Sequence, residues 1–252
     1  MRLILISRIS LLIITTLTLF SCSNKTEEFA SDQLSDYIPL QPGKYITYRL
    51  DSLVYTNFGT VALTNRYQVK HVVDAQITDN LGRPSYRIYT YISDSTGTQP
   101  WSASGSYFIT PLASQIEVVD DNLRVAKLHL PIKESFQWNG NSYLPADPYY
   151  PAYDFINDND IKDWDFTYDI FEPATSYRGN NYTDVYTVLQ QDDQFNAPVT
   201  DINTIGYKTL SVEKYSKNVG MVYKKYELWD YQTDPTDHYT GFGITMWMID
   251  HN

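Results

Sequence analysis

The chain has 252 residues, with 19 Lys and Arg against 30 Asp and Glu for a formal charge of −11, and one cysteine. It is 42% hydrophobic and 15% aromatic, including 23 tyrosines, which is too apolar for a disordered protein. The acidic balance excludes holding a nucleic-acid backbone by neutralising phosphates, and a lone cysteine excludes a disulfide framework or a multi-cysteine metal site.

The chain opens on a short basic start, Arg2 and Arg8, followed by an uncharged apolar run from Ile9 to Phe20. Twelve helical residues span roughly 18 Å, well short of a hydrocarbon core of roughly 30 Å. The run therefore has the profile of a secretion signal, over residues 1–21, and not of a membrane anchor. It ends Leu19-Phe20-Ser21-Cys22. That ending resembles the bacterial lipobox, with Phe20 bulkier than the residue usual at its place. The resemblance implies cleavage before Cys22, acylation of its thiol and a stable hold on the membrane by more than one acyl chain. Residues 22–35 form a polar tether without periodicity. Its Lys25-Thr26-Glu27-Glu28 run resembles the signals that send Bacteroidota lipoproteins to the outer face of the outer membrane, so the expected location is the outer membrane, with the cell surface ahead of the periplasmic face.

Residues 36–252 read as one antiparallel β domain. Period-2 alternation marks twelve runs: 45–50, 67–78, 85–93, 106–110, 115–119, 123–130, 134–138, 164–171, 182–190, 205–215, 221–231 and 241–249. Along the longest, Tyr67, Val69, His71, Val73, Ala75 and Ile77 are placed on one face, which makes His71 a hydrogen-bonded core histidine. Asp79-Asn80-Leu81-Gly82 is turn chemistry and predicts a hairpin. No clean helical stripe follows the signal. The expected fold is mainly all-β: a strongly twisted antiparallel sheet, half-barrel or barrel-like, because a sheet of about ten or more strands curls or splits.

Asn139 to Asp163 breaks the alternation. Pro145, Pro148 and Pro151 fall among Tyr143, Tyr149, Tyr150 and Tyr153, and proline removes the donors a ladder needs. This predicts a long ordered loop that plugs the sheet's concave face with Tyr149, Tyr150 and Tyr153.

Three segments carry a further resemblance: Tyr37-Ile38-Pro39-Leu40-Gln41-Pro42-Gly43-Lys44-Tyr45, Trp138-Asn139-Gly140-Asn141, and the twelve residues from Glu213 to Lys224. Together they resemble a group of Bacteroidota envelope lipoproteins, which implies an envelope location and no particular activity. The Tyr-x-x-x-Val-Gly-x-Val element within the third segment also resembles half-barrel proteins of the lipoprotein-carrier type, where it forms a strand, a tight turn and a returning strand.

Chemistry-bearing motifs are sparse. The four histidines lack ligand spacing, and no nucleophile elbow, zincin motif or phosphate loop is present. No catalytic residue and no cofactor is assigned. An acidic cluster runs from Asp147 to Asp169; Asp158, Asp160 and Asp163 are its best metal candidates, but Lys162 occupies the third ligand position of a calcium loop, and a solvated acidic loop is the preferred reading. Tyr149, Tyr150, Tyr153, Trp164 and Trp101 fall in or beside loops and are the candidate ligand-binding residues. The functional expectation is a non-enzymatic binding or assembly role for a protein anchored through Cys22, with an apolar or a glycan ligand. A glycan-binding accessory lipoprotein and a carboxylate-based hydrolase are the alternatives.

Overall fold

The computed structural model describes residues 32–155, 161–177 and 179–252. The signal segment, Cys22, the tether up to residue 31, and Asp158 and Asp160 lie outside the described residues.

Among the described residues there are twelve strands, one for each alternating run: β1 (Tyr45–Thr56), β2 (Val61–Thr78), β3 (Pro84–Asp94), β4 (Ser102–Pro111), β5 (Gln115–Asp120), β6 (Leu123–His129), β7 (Gln137–Asn139), β8 (Asp165–Tyr177), β9 (Asn180–Phe195), β10 (Gly206–Ser216), β11 (Gly220–Gln232) and β12 (His238–His251). They form one antiparallel sheet in the order β6-β5-β4-β3-β2-β1-β12-β11-β10-β9-β8-β7. The sheet closes further than a half-barrel, into a nearly complete barrel with a single unsealed seam, which the strand order places between β6 and β7.

The curvature has a visible cause. Seven of the eleven strand pairs carry a register shift, and each extra residue bends its strand and increases the local twist. One shift falls between Val73 and Ala75, against β3. The single alternating face expected from Tyr67 to Ile77 is therefore interrupted at Asp74, because an inserted residue exchanges the faces beyond it.

The hairpin turns follow their sequence signals. Gly82, at φ +76°, donates its N–H to the Asp79 carbonyl at 3.0 Å. Between β10 and β11, Asn218 and Gly220 take positive φ, and Val219 N–H reaches the Ser216 carbonyl at 3.2 Å.

Edge strands expose unpaired backbone groups, and here side chains and loops cover them. The Ala126 N–H of β6 donates to the Gly140 carbonyl at 2.8 Å. The Trp138 indole N–H donates to the Ala126 carbonyl at 2.8 Å. The Tyr168 hydroxyl serves both groups of His129, accepting from its N–H at 3.1 Å and donating to its carbonyl at 2.8 Å. Gly140 is required in this place: a Cβ there would lie 2.4 Å from the Phe166 ring.

Packing begins within the stretch that polarity marks as tether. A one-turn helix, α1 (Leu34–Tyr37), buries Leu34 and Tyr37, which share a face at i, i+3 spacing. The β10–β11 turn holds it: Lys217 pairs with Asp32 at 2.5 Å, and Asn218 N–H donates to the Asp36 carbonyl at 2.6 Å.

Candidate functional site

Inside the barrel is a cavity of about 440 Å³, within the roughly 300–1,000 Å³ usual for small-molecule sites. Most of its wall is apolar because period-2 alternation on curled strands turns one residue in two inward. Val73 of β2, Ile88 of β3, Ile109 of β4 and Ile244 of β12 belong to this wall. One side is covered by Ile38, Pro39 and Leu40, which follow α1, and another by Leu144, Tyr149, Ile161 and Trp164 from the long loop and its exit. Exposed lining residues occur in two places, at Asp120 and Asp121 of the β5–β6 turn and at Asn252.

The three segments singled out in the sequence meet on this wall. The first contributes Ile38 to Leu40, Lys44 and Tyr45, the second Asn141, and the third Glu213, Tyr215, Gly220, Met221 and Lys224. Asn141 is buried and donates its side-chain amide to the Ile161 carbonyl at 2.7 Å. It thereby ties the seam to the short 3₁₀ turn Ile161–Asp163.

A polar cluster interrupts the apolar wall. The Glu213 carboxylate is 1% exposed and accepts from Lys127 at 2.7 Å, Gln190 at 3.0 Å and the Tyr215 hydroxyl at 2.7 Å. Lys224 stands 3.4 Å from the same oxygen that Lys127 holds, and Ser211 donates to the Gln190 carbonyl oxygen at 2.6 Å. Burial by itself would raise the Glu213 pKa; Lys127, Lys224 and the hydrogen bonds more than reverse that and bring it down to about 2. Burial lowers the Lys127 pKa, with Glu213 pulling the other way. His71 also lines the cavity, its Nδ1 3.1 Å from the Tyr107 hydroxyl. Burial and then the nearby Lys224 lower it to about 4, so it is neutral at neutral pH.

The five aromatic candidates divide. Trp164 is 5% exposed and Tyr149 packs on Phe242, its hydroxyl 2.7 Å from that of Tyr226. Tyr153 stacks on Phe155 and packs on Phe242. Tyr150 is not part of the plug: it is 64% exposed, its N–H held by the Asp147 carboxylate at 3.2 Å. Trp101 does not line the cavity and lies just before β4, with the Lys70 ammonium of β2 5.2 Å from its ring and 4.3 Å from that of Tyr45 on β1, a cation–π arrangement. Among the described residues no group of three or more His, Cys, Asp or Glu could hold a metal ion; Asp163 ends the 3₁₀ turn.

Sequence reasoning did not single out Glu213, Lys224, Lys127 or Gln190 as a site. The available signal was a charged residue at an inward position of an alternating run, as in Leu123-x-Val125-x-Lys127. On β6 this signal is masked because Ala126 and Leu128, on the opposite face, are buried too.

No family model matches the chain, and no curated protein sequence matches it. Among solved structures, a Vibrio parahaemolyticus chain described as a "putative outer membrane lipoprotein-sorting protein domain" is 12% identical over 84% of this chain and 85% of its own, with a TM-score of 0.19.

Proposed function

We propose that this protein is a non-enzymatic, lipid-anchored envelope protein whose barrel holds an apolar small molecule. The cavity carries this reading. Protein interiors are normally close-packed, and an unfilled apolar void forfeits the dispersion contacts its lining would otherwise make. A space of about 440 Å³, reaching the surface at exposed lining residues, is the form a binding site takes. The lipobox ending at Cys22 supports the anchor and the outer membrane as the location, and the Lys25-Thr26-Glu27-Glu28 run supports the cell surface. The cavity's buried carboxylate is poorly suited to hydrolysis, since Glu213 is held ionised and a general acid needs a pKa near the working pH. For a glycan surface, three of the five aromatic candidates face inward, which leaves Tyr150 and Trp101 accessible.

The test is displacement of an environment-sensitive hydrophobic dye from the purified protein by a long-chain alcohol. Saturable displacement is expected, and Val118→Phe, which fills the cavity from β5, should weaken dye binding about tenfold or more while the fold is retained. A folded Val118→Phe protein that binds the dye as tightly as the unaltered one would place the dye elsewhere and overturn the reading.

A further inference from the structure

The polar side of the cavity carries more positive charge than its buried carboxylate balances. Glu213 and Lys127 already form a neutral, hydrogen-bonded pair, completed by Gln190 and Tyr215 on the other carboxylate oxygen. Lys224, reaching in from β11, adds a second ammonium to an oxygen that Lys127 occupies, at 3.4 Å against 2.7 Å. An ammonium beside an apolar space is costly unless an anion meets it. The side chains of Lys127 and Lys224 remain 16% and 24% exposed although both line the cavity, so donors of both are available to an occupant. Asp120, at the end of β5, also acts electrostatically on Lys127 and Lys224, but it forms no ion pair with either, so it does not meet the second ammonium directly. His71 is neutral, Lys44 is a further cation, and Asp121 sits on the exposed β5–β6 turn.

We infer that the occupant is a single-chain amphiphile with one anionic head, a long-chain carboxylate, whose head docks on Lys127 and Lys224 and whose chain lies along Val73, Ile88, Ile109 and Ile244. This rests on the reading of the barrel as a container for an apolar small molecule. One negative charge neutralises the Lys127–Glu213–Lys224 group. A dianion such as a phosphate monoester would exceed it, and Asp120, which already acts on both lysines, would repel the excess. A carboxylate also reproduces the pairing that Glu213 already makes with these lysines.

The experiment compares, by displacement of the same dye, a long-chain carboxylate with the alcohol, amine and phosphate monoester of equal chain length. The carboxylate should bind about tenfold or more tighter than the alcohol, the size expected of a charge-assisted hydrogen bond, and the amine should bind most weakly. Lys224→Met should bring the carboxylate-to-alcohol ratio close to one, and Lys224→Arg should restore it. Equal affinity for carboxylate and alcohol in the unaltered protein overturns the headgroup assignment and leaves the container reading standing. A phosphate monoester that outcompetes the carboxylate overturns the single-charge assignment. If no member of the series displaces the dye, the container reading itself fails.

Discussion

Glu213 and His71 line the cavity, and through them acid should act on the barrel interior. The Glu213 pKa is about 2 in the barrel against an ordinary 4.5, the two lysines outweighing burial. Its pairing therefore stabilises the fold fully above the ordinary value and is lost as pH falls towards 2. His71 stands at about 4 against an ordinary 6.5, from burial and then Lys224, so protonation opposes folding as pH falls from about 6.5 to about 4. Each contribution is at most on the order of 3 kcal/mol. Urea midpoints measured across pH should show the fall beginning below about 6.5, and His71→Gln should remove its upper part; an unchanged profile in that variant would assign the fall to other groups. Glu213→Gln leaves the part-buried ammoniums of Lys127 and Lys224 without their counter-ion and should destabilise at neutral pH by up to roughly 3 kcal/mol, below the cost for a fully buried pair.

At the scale of elements, the seam is where the barrel is weakest and where single residues matter most. β7 has three residues and no strand ladder joins it to β6 among the described residues, so Trp138, Gly140 and Tyr168 supply the bonds at the seam instead. Gly140→Ala would drive a methyl group into the Phe166 ring. A cost of about 1–3 kcal/mol is expected, with amide hydrogen exchange accelerated along β6 before it changes in β1 or β12. Uniform acceleration throughout the sheet would mean that the seam is no weaker than the rest. The strands themselves were legible in the sequence because alternation is local. The bulge at Asp74 was not, since an inserted residue shows only against its partner strand.

At the scale of the whole molecule, the described residues form a barrel with a covering segment before β1, a loop cover and an internal space, and the lipobox-like ending at Cys22 carries a separate prediction. The Cys22→Ala protein should incorporate no labelled fatty acid and should be found uncleaved or released from the membrane. Label incorporation equal to that of the unaltered protein would reject Cys22 as the acceptor.

The amino-acid sequence by itself determined the all-β class, the twelve strands and the main turns, because each depends on neighbours within a few residues: alternation, Asn and Gly at positive φ, and prolines that deny a ladder its donors. Tertiary structure alone decided how far the sheet closes, since closure depends on bulges distributed over strands far apart in sequence. It also decided that Tyr149 and Tyr153 pack inward while Tyr150 does not. The site belongs to the same category. Lys127, Glu213 and Lys224 come from β6, β10 and β11, and their shared oxygen exists only once the curled sheet brings the three strands to face one interior space.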